Sequence, residues 1–132
     1  MYEYRVKQVL KVVDGDTIDV VIDLGFDISY TSRVRLAGID TPESRTTDAR
    51  EKILGLEVKE YLKKALEGAT DIVIRTEKVD SSEKYGRILG WLFVNKETGS
   101  LNMQLVNKGY AWSYDGGTKK KDFALLESRR QK

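Results

Sequence analysis

Carboxylates and arginines are the residues best suited to chemistry in this chain, because histidine and cysteine are both absent. Their absence excludes Ser-His-Asp triads, thiolate nucleophiles, disulfides and metal sites with Cys or His ligands. Asp, Glu, Tyr, Lys and Arg therefore have to supply any acid-base or charge-stabilising group. A bound metal ion would have oxygen ligands, which favours calcium or magnesium.

Two segments place carboxylates at turns. Asp14 and Asp16 flank a glycine just before an alternating segment, and Asp40 and Glu43 flank the single proline. Taken alone, the first segment is typical of an Asp-Gly turn in a hairpin. If Asp16 and Asp40 approach one another across a sheet, their mutual repulsion requires a cation. Calcium would satisfy that requirement.

Two arginines occupy comparable positions beside turns. Arg35 lies near the end of a predicted strand and precedes the turn that presents Asp40. Arg87 follows the segment Lys84-Tyr85-Gly86 and enters the next strand. In isolation, that second segment is typical of an ordinary charged hairpin.

The elements that must position these residues include five predicted strands. Apolar and polar residues alternate over residues 17–24 and 30–36, which is the period of a half-buried strand, and an earlier strand over residues 4–13 completes a meander. Two further strands are predicted over residues 71–77 and 87–94.

Three helices complete the prediction. They lie between Asp48 and Gly68, from a cap at Ser100 or Asn102 to Gly109, and from a start near Thr118. Five short strands with a helix after the third fit a small barrel of the OB type. A sheet packed on helices fits the periods equally well, so the pattern alone leaves both architectures open.

Length and composition indicate one domain over residues 1–132. The chain has 40% hydrophobic residues, which suffice for one modest core. A charged fraction of 33%, a mean hydropathy of −0.46 and no apolar run of about 20 residues exclude a helical membrane protein. The first residues lack the apolar stretch of a secretory signal, which predicts a cytoplasmic protein, or a secreted one if a signal had been removed. A monomer is expected.

The segments Asp14–Thr17, Arg35–Glu43 and Lys84–Arg87, in this order and at these separations, resemble the staphylococcal nuclease (thermonuclease) family. The run Leu101–Val106 and the ending Gly109–Ala111 resemble it as well, so the similarity covers nearly the whole chain. The resemblance implies a mainly β fold, a five-stranded OB-fold β-barrel with three flanking α-helices. It thereby favours the barrel over the sheet packed on helices.

The resemblance also implies a calcium-dependent nuclease that hydrolyses DNA or RNA, prefers single strands and leaves 3′-phosphate ends. Carried over residue by residue, the calcium ligands are Asp16, Asp40 and the backbone carbonyl of Thr41. Glu43 activates the attacking water, while Arg35 and Arg87 bind the phosphate. Asp14 and Thr17 lie near the metal as accessory residues.

These implied roles agree with the chemistry of phosphodiester hydrolysis. A phosphodiester repels hydroxide, and its transition state gathers further negative charge on the equatorial oxygens. A divalent cation and two guanidiniums would neutralise that charge, since each planar guanidinium contacts two phosphoryl oxygens and stays protonated.

Aromatic faces are expected to bind the bases, because stacking tolerates any sequence. By resemblance, Tyr85 lies near the nucleotide and Lys84 contacts a terminal phosphate. Tyr114 is a candidate for a second stacking tyrosine. Trp91, in the last of the five predicted strands, is instead predicted to be a core residue.

Two other function classes compete with the nuclease. One is a non-catalytic OB-fold module that binds nucleic acid or protein, and the other is a purely structural barrel. The presence of Asp16, Arg35, Asp40, Glu43 and Arg87 together favours the enzyme, because neither alternative needs all five charges.

Overall fold

The computed structural model describes residues 2–76, 88–114 and 121–130. The described elements are β1 (Tyr2–Asp14), β2 (Thr17–Gly25), β3 (Ile28–Leu36), β4 (Ile39–Asp40), α1 (Ala49–Glu67), β5 (Ile72–Thr76), β6 (Ile88–Val94), α2 (Leu101–Asn107), β7 (Trp112–Ser113) and α3 (Phe123–Arg130). None of the helices in these ranges is long and apolar enough to cross a lipid bilayer.

Five strands form a closed barrel in the order β1, β2, β3, β6, β5. All neighbouring pairs are antiparallel except β3 and β6, which run parallel. The mainly β fold with a five-stranded barrel and three helices is therefore confirmed. The barrel closes because β1 is long and bends at three register shifts against β2, so that its first residues also pair with β5.

The barrel interior is filled by alternate residues of the strands. In β2, Ile18 and Val20 are fully buried, and in β3 Val34 and Leu36 are fully buried, as the alternation predicts. The prediction that Trp91 is a core residue is wrong. In β6 the buried positions are Gly90, Leu92 and Val94, while the indole of Trp91 lies half-buried on the opposite face.

The helix boundaries follow capping residues. Asp48 caps α1 by accepting a hydrogen bond from the Glu51 amide, and Gly68 is the C-cap. Ser100, one of the two alternatives, caps α2 by accepting from the Met103 amide. Helix α3 starts at Phe123, and the predicted start at residue 118 lies outside the described ranges.

Asn102, in the first turn of α2, connects three segments of the chain by hydrogen bonds. Its side chain is fully buried, accepts a hydrogen bond from the Leu92 amide at 3.0 Å and donates to the carbonyls of Ala37 and Gly90 at 2.8 and 3.1 Å. These bonds hold β6 and the residues that follow β3 in one position. Sequence reasoning considered Asn102 only as a possible cap.

Candidate active site

The predicted site residues converge where β2 begins and β3 ends. Thr17 pairs with Arg35, so Asp16 lies beside the end of β3. The chain then turns at Gly38, which has a φ of +77°, and enters β4 with Asp40. A side chain at Gly38 would not fit, because an added Cβ would lie 2.4 Å from Cη2 of Trp91. The half-buried Trp91 therefore covers the turn that presents Asp40.

Arg35 is buried in the centre of this site, with 7% of its surface exposed. Its Nη1 donates to the Leu36 carbonyl at 2.8 Å, and its Nη2 donates to the Ile39 carbonyl at 3.0 Å. The same Nη2 lies 3.5 Å from Oδ2 of Asp16 and 3.7 Å from Oδ1 of Asp40. The two carboxylates thus share one guanidinium, which supplies positive charge where repulsion between them would otherwise arise.

Asp16 is oriented by its neighbours. The Thr17 hydroxyl donates to Oδ1 of Asp16 at 3.0 Å, and the Leu36 amide donates to the Asp16 carbonyl at 2.8 Å. Thr17 is itself buried. The contact gives Thr17 a supporting position beside a predicted metal ligand.

Thr41 has a buried hydroxyl that finds no hydrogen-bond partner among the described residues. It lies under Gly15, where an added Cβ would come within 3.1 Å of Oγ1. Together with the carboxylates of Asp16 and Asp40, Thr41 brings oxygen donors to one place, which suits a hard divalent cation. In the described ranges, no group of three or more His, Cys, Asp and Glu side chains could hold a metal. A cation here would therefore need main-chain or hydroxyl oxygens and water beside the two carboxylates.

Glu43 has an exposed carboxylate on a fixed main chain. Its side chain is 56% exposed, while its amide donates to Oε2 of Glu51 in α1 at 3.1 Å. The next residue, Ser44, is buried and donates its hydroxyl to Oδ1 of Asp14 at 2.9 Å. Asp14 thus connects the segment before β2 to the segment that carries Glu43.

Lys121, just before α3, also reaches this segment. Its Nζ lies 2.9 Å from Oε2 of Glu51 and 3.9 Å from Oε1 of Glu43. The hydrogen bond to Glu51 raises the pKa of Lys121, an effect that burial opposes and that the negative charges of Glu43 and Glu51 reinforce. Sequence reasoning found neither Glu51 nor Lys121. A charged residue in the first turn of a helix and a lysine within a basic run are both typical of solvent-exposed surface.

Tyr114 follows β7 and lies beside the turn before β4. Its amide donates to the Gly38 carbonyl at 2.8 Å, and its side chain is partly exposed. Its predicted role as a stacking residue stays a prediction. The predicted substrate residues Lys84 and Tyr85 and the predicted catalytic Arg87 lie outside the described residues.

A family model described as staphylococcal nuclease homologue matches residues 33–132. Three relatives illustrate the similarity. An uncharacterized protein of Methanocaldococcus jannaschii is 30% identical over 99% of this chain and 70% of its own length. A micrococcal nuclease of Shigella flexneri is 30% identical over 94% of this chain and 67% of its own length. A thermonuclease of Staphylococcus hyicus is 33% identical over 79% of this chain and 56% of its own length.

The share of each relative's length that aligns with this chain varies. The chain spans between 44% and 70% of the length of the five relatives compared. The similarity therefore concerns only part of each relative's length.

Proposed function

The chain belongs to the family of staphylococcal nuclease homologues, and on that premise we propose that residues 1–132 form one nuclease domain. Its substrate is DNA or RNA, with single strands preferred, and its reaction is calcium-dependent phosphodiester hydrolysis that leaves 3′-phosphate ends. It acts as a monomer. The observation that supports this most is the cluster of Asp16, Arg35 and Asp40, followed by the buried Thr41 hydroxyl, which has no hydrogen-bond partner within the described ranges.

A metal ion in this cluster would be held by the carboxylates of Asp16 and Asp40 and the backbone carbonyl of Thr41, whose oxygens are the donors that calcium takes. When bound, calcium would supply positive charge for the phosphodiester and favour ionisation of a bound water. Asp14 and Thr17 stay outside the ligand set and orient it. Thr17 does so through its hydroxyl bond to Asp16.

Glu43 takes the proton from the attacking water. Its carboxylate is exposed to solvent, where a substrate phosphate and water can approach, and its main chain is held by Glu51. Oxygen of the water forms the new bond to phosphorus, and the bond between phosphorus and the 5′ oxygen breaks. The proton passes to the Glu43 carboxylate, and the departing oxygen is protonated from solvent.

The arginines stabilise the charge that develops on the phosphoryl group. Arg35 is fixed by two main-chain carbonyls, so its guanidinium needs no reorganisation as the charge grows. Arg87 is assigned phosphate binding as well, by family resemblance. Lys84, Tyr85 and Tyr114 are assigned to the nucleotide, the lysine at a terminal phosphate and the tyrosines at the bases.

Cleavage of single-stranded DNA and RNA oligonucleotides tests the proposal. The purified chain is assayed in calcium and in a chelator, beside Glu43→Gln and the surface control Glu60→Gln. We expect calcium-dependent products, a loss of about a hundredfold or more in Glu43→Gln, and an unchanged rate in Glu60→Gln. A full rate in Glu43→Gln would reject the assigned base. Binding without cleavage by the folded wild type would favour the non-catalytic module.

A further inference from the structure

Glu51 of helix α1 carries a buried carboxylate. It lies in the first turn, with 4% of its surface exposed. Acidic side chains are almost never buried this far unless they are paired. Its partners are the ammonium of Lys121 at 2.9 Å and the amide of Glu43 at 3.1 Å. One partner is the main chain of Glu43 itself. The other, Lys121, has its Nζ 3.9 Å from Oε1 of Glu43.

Helix α1 contacts the main chain of Glu43 and Ser44 at a second point. Gly55, one turn after Glu51, lies against it so closely that an added Cβ would come within 2.5 Å of the Glu43 carbonyl and 2.7 Å of the Ser44 amide. Ser44 is anchored from the opposite side by its hydroxyl bond to Asp14. Main-chain contacts therefore restrain Glu43 while its side chain stays in solvent.

The segment before α3 is positioned by the strand pair that carries Asp40. Asp40 in β4 pairs with Trp112 in β7. The indole Nε1 of Trp112 donates to the Asp122 carbonyl at 3.0 Å, and its ring packs against Phe123. Lys121 directly precedes these two residues, so its ammonium reaches Glu51 and Glu43 from a segment fixed relative to Asp40.

We propose that Glu51 and Lys121 are positioning residues for the nuclease reaction. Glu51 holds the Glu43 amide so that the Glu43 carboxylate faces the cluster of Asp16, Arg35 and Asp40. Lys121 neutralises the buried Glu51 and acts on Glu43 through that carboxylate. This inference rests on the proposed nuclease function, because it assigns Glu43 as the base.

The positioning role differs from a substrate-binding role in its kinetic signature. A displaced base slows the chemical step, so kcat falls while KM stays near its original value. A lysine that bound the phosphate of the substrate would mainly raise KM. The split between the two constants therefore separates the two roles.

The variants separate the two contacts of Glu51. Glu51→Gln keeps a carbonyl oxygen that can accept from the Glu43 amide, whereas Glu51→Leu removes it. Lys121→Met removes the ammonium, and Lys121→Arg keeps a cation. The matched control is the exposed pair Glu60 and Lys64 on α1, whose Nζ and Oε1 lie 3.8 Å apart. Glu60→Gln and Lys64→Met leave the site untouched.

We expect kcat on a single-stranded DNA oligonucleotide in calcium to fall about tenfold to a hundredfold in Glu51→Leu, with KM within about twofold. Glu51→Gln should retain most of the wild-type kcat, and the kcat of Lys121→Arg should be higher than that of Lys121→Met. Because Lys121 acts through Glu51, the double variant Glu51→Leu/Lys121→Met should be no slower than Glu51→Leu alone. The two control variants should match the wild type.

Amide hydrogen exchange supplies a readout that needs no catalysis. The Glu43 amide should exchange faster in Glu51→Leu than in the wild type, and Glu51→Gln should keep its protection. Circular dichroism verifies that each variant is folded, and Lys121→Met carries the test if Glu51→Leu does not fold. In that case an unchanged kcat in folded Lys121→Met would overturn the inference.

Failure of the inference and failure of the proposed function give different results. A wild type that cleaves while folded Glu51→Leu retains full kcat and full Glu43 protection overturns the positioning role alone. A multiplicative loss in the double variant also overturns it. A wild type that cleaves neither DNA nor RNA rejects the nuclease, and with it this role of Glu51 and Lys121 in catalysis.

Discussion

At the scale of single residues, Arg35 combines a structural role with a proposed catalytic one. Its guanidinium binds the carbonyls on both sides of the turn between β3 and β4 and lies between two carboxylates. Removing the positive charge would leave the partly buried Asp16 and the buried Asp40 as neighbouring like charges, which is unfavourable. The same group that makes this acidic site stable is therefore also the group that would face the substrate phosphate.

Arg35→Lys keeps the charge and removes the planar fork. A single ammonium cannot reproduce both carbonyl contacts and both carboxylate contacts, so we expect the free energy of unfolding to fall by about 1–3 kcal/mol. Nuclease activity should fall with it. Urea denaturation followed by circular dichroism measures the first effect, and oligonucleotide cleavage measures the second.

Arg33→Lys is the matched control for this experiment. Arg33 lies two residues earlier on β3, with its side chain about half exposed and paired with Asp19. An exposed pair contributes little, so the change in stability should stay within about 0.5 kcal/mol. Equal losses in the two variants would mean that the buried contacts of Arg35 do not stabilise the fold.

At the scale of elements, the turn that presents Asp40 depends on parts of the chain distant in sequence. Trp91 of β6 covers Gly38, and Asn102 of α2 holds the Ala37 carbonyl. The wrong prediction for Trp91 has a physical cause. Strand β6 carries apolar residues on both faces, so alternation identified a strand without showing which face is the core. The bounds of α1 at Asp48 and Gly68, and the cap at Gly68, were predicted correctly because helix ends depend on neighbouring residues.

Gly38→Ala tests the close approach of Trp91, and Gly25→Ala is its control. Both glycines have a positive φ, +77° and +84° respectively, so alanine is strained at either position. An added Cβ at Gly25 meets no described atom within 4 Å, whereas at Gly38 it meets the indole at 2.4 Å. We expect Gly25→Ala to cost about 1–2 kcal/mol of stability and Gly38→Ala about 1–3 kcal/mol more.

The two glycine variants should also differ in activity. Gly38 is two residues from Asp40, so displacement of its turn should lower the cleavage rate, whereas the Gly25 turn lies at the far end of β2. Urea denaturation and oligonucleotide cleavage measure both effects. Equal destabilisation by the two substitutions would show that backbone strain, and not the indole, determines the need for glycine at position 38.

At the scale of the whole molecule, closure of the barrel brings together segments that are distant in the sequence. Asp16, Arg35 and Asp40 were predicted as a group from family resemblance, and the fold brings them together. Glu51 and Lys121 were missed because their contact joins α1 to the segment before α3, 70 residues apart. No local pattern encodes such a contact. Periodicity predicted the strands and the family resemblance implied the chemistry, whereas the support of Glu43 required the folded chain.

Calcium binding to the whole fold should depend on the charge of the site. Two carboxylates and one guanidinium leave a net charge of about −1, so we expect weak binding, with a Kd of about 0.1–1 mM. A ligand that binds only the folded state stabilises it by about 1.4 kcal/mol at tenfold excess over Kd. For a chain of this size, that corresponds to a rise in Tm of a few degrees.

Asp40→Asn tests this linkage, with Asp19→Asn as the surface control. Calcium should raise the Tm of the wild type and of Asp19→Asn relative to a chelator at equal ionic strength, and it should leave Asp40→Asn nearly unchanged. Differential scanning calorimetry measures the three shifts. An equal rise in Asp40→Asn would place the calcium elsewhere. In that case the Arg35 guanidinium alone would neutralise Asp16 and Asp40 in the wild type.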